Sequence, residues 1–69
     1  MNQDQARELK GHVVRLRLKA AYGAEEVSGR VVGALESADG LVLVLAPSPD
    51  SDRRLSFNYQ QVGEVLSRD

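Results

Sequence analysis

Residues 12–19 read HVVRLRLK, and the alternation within them constrains the fold more than any other feature of the chain. Val14, Leu16 and Leu18 fall on one face of an extended strand; Arg15, Arg17 and Lys19 fall on the other. A period of two marks a half-buried strand, because successive side chains point to opposite sides of the pleat. The pattern requires a sheet with one packed face and one wet face. With 69 residues and no cysteine, the chain has no disulfide or thiolate metal site to hold such a sheet together. A chain this short buries only about 60% of its unfolded surface, so it needs a compact core, an oligomer or a partner.

The remaining segments supply more short strands. AAYGAEE turns the chain at Gly23 and leads into VSGRVVGAL. There Val27, Val31 and Leu35 are expected to point one way, and Ser28, Arg30 and Val32 the other. Gly29 and Gly33 fall on the Val31 face, where strand glycines mark bends or close backbone approach. ESADG, with Asp39-Gly40, is a turn. LVLVLA is apolar on both faces, so Leu41, Leu43 and Leu45 fill a core while Val42 and Val44 face outward. PSPDSD is a proline-fixed loop. RRLSFNY alternates again, with Leu55, Phe57 and Tyr59 on one side. QQVGEVLS turns into a last strand anchored by Val62 and by Val65 or Leu66. Residues 2–10 are expected to form a helix capped by Asn2 or Asp4, with Gln5 completing a capping box on Asn2 and Gly11 as the stop. Ala6 and Leu9 would pack it onto the strands. The expectation is a single mainly β domain, 1–69: a helix over 2–10 and a strongly bent five-stranded barrel of the SH3-like or Sm-like kind over 12–67.

A net charge of −1 excludes polyanion binding by bulk charge; only a local gathering of basic residues would serve. Arg15, Arg17 and Lys19, joined by Arg30, are candidate phosphate contacts. The alternative is a solvated face neutralised across strands by Glu25, Glu26 and Glu36. Tyr22 and Tyr59 are candidates for stacking on bases, whereas Phe57 belongs with the core. Val42 and Val44 are candidates for self-association unless the helix covers them.

Catalysis is not expected. His12 is the only histidine, and the chain has no cysteine nucleophile, no histidine pair for a metal and no phosphate loop. The acidic turns lack calcium-loop spacing. No cofactor or metal is therefore expected. MNQDQARELK lacks the apolar run of a signal peptide, and LVLVLAP is too short to span a bilayer. A soluble cytoplasmic protein without membrane contact is the expectation.

Gly11 before HVVRLRL, the turn glycine Gly23, Gly29 six residues on, and the completed GRVVG together resemble the C-terminal domain of the ribosome maturation factor RimP. RRLSFNYQQVGEVLS is similar to that family's last strand and turn, with Phe57 and Val62 at the apolar anchor positions. The resemblance covers roughly residues 9–67. It implies a small SH3-like or Sm-like barrel that acts as a non-catalytic binding module, with a ribosomal protein or RNA as partner. The chain also resembles Sm-like proteins more loosely, which implies an oligomer or a protein-interaction barrel with no nucleic-acid role. The Sm base-holding residues are not reproduced: Glu36 and Gly40 stand near the first turn, and Asn58-Tyr59 where Arg-Gly would stand.

Overall fold

The computed structural model describes all 69 residues, Met1–Asp69. A short helix α1 (Gln3–Glu8) is followed by strands β1 (Val13–Leu18), β2 (Glu26–Ser37), β3 (Gly40–Ala46), β4 (Leu55–Asn58) and β5 (Val62–Arg68). Two 3-10 turns, Ala20–Tyr22 and Tyr59–Gln61, carry the β1–β2 and β4–β5 connections. The helix is shorter than expected, but its cap is the expected one. The Asn2 side chain accepts from the Gln5 N–H at 2.8 Å, and Gln5 Oε1 accepts from the Asn2 N–H at 2.9 Å. This satisfies two amide donors that the first turn cannot.

All five strands form one antiparallel sheet in the order β4-β3-β2-β1-β5. The sheet does not close through a β4–β5 ladder. β4 has four residues and pairs only with β3, and the Tyr59–Gln61 turn carries the chain across to β5 on the far edge. The closed barrel expected for 12–67 is thus present as a compact, open five-stranded sheet with a Cα radius of gyration of 11.0 Å.

Alternation in β1 and β3 holds residue by residue. Val14, Leu16, Leu41, Leu43 and Leu45 are buried, and with Ala6, Leu9, Val31, Phe57 and Val62 they form one core. Each large apolar side chain among them contributes about 1.5–3 kcal/mol by leaving water. Ala6 and Leu9 bring α1 onto the same side of the sheet as the three inward leucines of β3. The outward residues of β3 are therefore left without a helix over them.

β2 departs from the expected pattern. It pairs Val31 with Leu45 but Gly33 with Val44, so one extra residue, Val32, sits in the strand. A bulge of this kind reverses the facing of every residue beyond it. Leu35, expected inward with Val27 and Val31, instead lies opposite Val42 and is 60% exposed. Ala34 takes the inward place opposite Leu43. Gly33 likewise moves to the outer face beside Val44. In β5, Val62 is buried, Leu66 is half-buried and Val65 is exposed, with two register irregularities against β1.

Gly29 lies opposite Val14, and the main chain of β3 comes down on it. A Cβ at this position would lie 2.2 Å from the Ala46 carbonyl oxygen and 2.8 Å from Pro47 Cα. Its φ of +147° is also one that side-chain-bearing residues rarely adopt. This contact brings the start of the β3–β4 loop down against β2. No helix is long and apolar enough to cross a membrane.

Candidate functional site

β1 places Arg15 and Arg17 on the outer face, between β2 and β5. Arg15 stands opposite Ser28 and Ser67; Arg17 stands opposite Glu26 and Glu64. Ion pairs follow from that register. Glu26 lies 3.2 Å from Arg17 and 3.5 Å from Arg15, and Glu64 lies 3.3 Å from Arg17. Two cations thus face two carboxylates, and the stripe is locally neutral. Glu26 was one of the expected neutralising residues. Glu64 is the partner that local reading misses, because it is 47 residues from Arg17 in sequence. Glu36, by contrast, reaches the helix, where its carboxylate takes hydrogen bonds from the Arg7 guanidinium. The Glu36 hydrogen bond and charge raise the Arg7 pKa above its ordinary value; desolvation opposes them, and Asp4 adds lesser contributions in the same upward direction.

Lys19 and Arg30 do not extend the stripe. Lys19 follows the end of β1, and its main-chain N–H donates to Gln61 O at 2.8 Å. Arg30 lies opposite Val13 at the other end of the strand pair, and its Nη1 donates to the Gly11 carbonyl. Neither forms an ion pair with a carboxylate. The four basic residues do not form one carboxylate-free patch.

The two tyrosines differ. Tyr22, on the Ala20–Tyr22 turn, is 51% exposed. Tyr59 is half-buried and packs on the core; its ring stands so close over Gly40 that a Cβ there would lie 2.9 Å from Cε1. The Asn58–Gln61 capping box holds the turn that carries it. Tyr22 offers a free ring face, whereas Tyr59 is engaged in packing.

On the outer side of β2 and β3, Val42 faces Leu35 and Val44 faces Gly33. Val42 and Val44 are half-buried, and Val32 at the bulge is 41% exposed. The bulge turns Leu35 outward beside the two valines, making an apolar outer face larger than the sequence alone indicates.

Two concavities mark the surface. One, of about 430 Å³, runs between α1 and β5 and is lined by Met1, Leu9, Val62 and Val65 among others. The second, of about 330 Å³, lies between β2 and the β3–β4 loop, and Arg30 and Arg54 are both among its lining residues. His12 Nδ1 lies 3.3 Å from Asp69 Oδ1. No group of three or more His, Cys, Asp or Glu side chains is gathered closely enough to hold a metal.

No protein-family model matches the chain, and neither a curated protein nor a solved structure shows significant similarity to it.

Proposed function

We propose that this chain is a non-catalytic protein-interaction module of the SH3-like or Sm-like small-barrel class, and that its partner is a second copy of itself. The apolar outer face of β2 and β3 carries this reading: Leu35 and Val42 lie opposite each other, Val44 is two residues along the same face, and α1 packs on the opposite side of the sheet. Contiguous exposed apolar surface on a small domain marks an interaction site. A symmetric pair would bury the same patch on both copies, because a two-fold interface is self-complementary. Stable interfaces take about 800 Å² from each partner. The whole chain exposes 4350 Å², so such a dimer would bury about a fifth of the surface of each copy.

The nucleic-acid reading, with ribosomal RNA as the partner implied by the RimP resemblance, has less support. Its leading contacts, Arg15 and Arg17, are held by Glu26 and Glu64. A phosphate backbone would have to displace those carboxylates before gaining anything.

Sedimentation velocity over a dilution series tests the proposal. The wild-type chain is expected to shift from dimer to monomer in the micromolar range, about 8 kcal/mol of association. Leu35→Lys is expected to be monomeric throughout with its thermal melt preserved, because Leu35 is outside the core. A wild-type chain that stays monomeric at about a hundred times that concentration, or a Leu35→Lys chain that associates equally well, would overturn it.

A further inference from the structure

We propose that the recess between β2 and the β3–β4 loop is a carboxylate-binding site, shaped for the free C-terminus of a peptide that ends in an apolar side chain. This goes beyond the self-association reading and uses β2 on the other side of its bulge. The recess has a volume of about 330 Å³ and is lined by Val13, Arg30, Val32, Pro47, Ser48 and Arg54, among others.

The two arginines are fixed without being neutralised. Arg30 Nη1 donates to the Gly11 carbonyl. Arg54 Nη1 donates to the Arg53 carbonyl at 2.8 Å and to the Ser51 carbonyl at 3.3 Å. A main-chain carbonyl orients a guanidinium but leaves its charge uncancelled. Each guanidinium has five N–H donors, so most remain free on both. Neither has a carboxylate within ion-pair distance, whereas Arg7, Arg15 and Arg17 all do. Two held forks lining one recess match the planar, bidentate geometry of a carboxylate.

The walls select among anions. Val13, Val32 and Pro47 give an apolar surface beside the charge, which suits a terminal residue whose side chain lies against it. A nucleic-acid backbone would place hydrated phosphates and sugars there instead and gain nothing from those walls. The rim also disfavours an extended polyanion. Asp50 and Asp52 are exposed on the same loop, and Asp69 Oδ1 accepts from the Val13 N–H at 2.9 Å. These nearby carboxylates would repel a chain of phosphates more than a single terminal carboxylate. The Ser48 hydroxyl oxygen accepts from the Asp50 N–H at 3.2 Å, which leaves its own O–H to donate into the recess.

The test is an amide-detected NMR titration with the peptide Gly-Ser-Gly-Ser-Leu-Val carrying a free C-terminus. Saturable shifts are expected at Arg30, Ala46, Ser48 and Arg54, with a Kd of about 1 mM or tighter. The same peptide with a C-terminal amide is expected to bind about tenfold more weakly or not at all. Arg30→Gln and Arg54→Gln should each weaken binding about tenfold, the loss of a charge-assisted hydrogen bond, while Arg15→Gln has no effect. Thermal melts accompany each variant, and Arg54→Gln is the safer of the two because its side chain holds only its own loop. The proposal is overturned by an absence of saturable shifts, by equal binding of the amidated peptide, or by equal loss in Arg15→Gln. It is also overturned if inorganic phosphate or an oligouridine displaces the peptide at lower concentration than a second free-acid peptide does.

Discussion

Gly29→Ala is expected to cost about 2–6 kcal/mol of stability, the sum of backbone strain and overpacking. The new Cβ would stand 2.2 Å from Ala46 O, 2.8 Å from Ala46 C and 2.8 Å from Pro47 Cα. All three atoms are main chain, so no side chain can rotate out of the way. A carbon normally approaches a carbonyl oxygen no closer than about 3.3 Å, so β2 and the end of β3 would have to part by about 1 Å. That movement strains the pairs Arg30↔Ala46 and Val31↔Leu45. The φ of +147° adds its own strain for any residue with a Cβ. A domain of this length has only about 3–10 kcal/mol to lose. At about 4–8 °C per kcal/mol, the midpoint of a circular-dichroism melt should fall by about 8 °C or more. Gly33→Ala is the control. Its Cβ would meet Val44 Cβ at 3.5 Å, an ordinary contact, and its melt should change by less than about 1 kcal/mol. A Gly29→Ala melt within about 4 °C of the parent, or an equal fall for Gly33→Ala, would refute the close approach of the two strands.

Leu16→Ala and Phe57→Ala should each cost about 2–5 kcal/mol, as buried large-to-small changes, and leave much of the population unfolded; melts unchanged for both would contradict the inward register of β1 and β4. Arg15→Gln combined with Arg17→Gln should change stability by less than about 1 kcal/mol, since the ion pairs it removes are solvent-exposed. Fluorescence anisotropy with single-stranded RNA at low salt should show little binding before or after that double change. Binding that is lost on the change, with a salt slope near −2 as about three phosphate contacts require, would restore the nucleic-acid reading.

Much of the fold is legible because the strands β1 and β3 carry their periodicity in unambiguous residues: arginine against valine and leucine in one, leucine on every inward position of the other. The Asn2–Gln5 capping box is legible for a similar reason, since it needs only local chemistry. The facing of Leu35 is not. Val31, Val32, Gly33 and Ala34 are all compatible with an uninterrupted strand, and the bulge is decided by pairing with β3. Partners of the basic residues are only partly legible: Glu26 meets Arg15 and Arg17 as the local pattern suggests. Glu25, Glu26 and Glu36 are the nearby candidates, yet Glu64 arrives from the far end of the chain through β5, and Glu36 goes to Arg7 on the helix. Gly29 announces a close backbone approach, but nothing local names Ala46 as what approaches it or Arg54 as sharing a recess with Arg30.

The extra residue in β2 ties the character of the outer surface to the seating of the helix. Beyond Val32, Leu35 shares a face with Val42, and Glu36 shares the other with Leu41, from which its carboxylate meets Arg7. Deleting Val32 alone would shift the strand by one and exchange those roles. Leu35 would turn toward the core, Glu36 would point away from α1, and net charge would not change. The apolar patch around Leu35 and the tether of the helix thus hang on one residue: a single deletion would remove both, so the length of the strand sets them as strictly as its composition does.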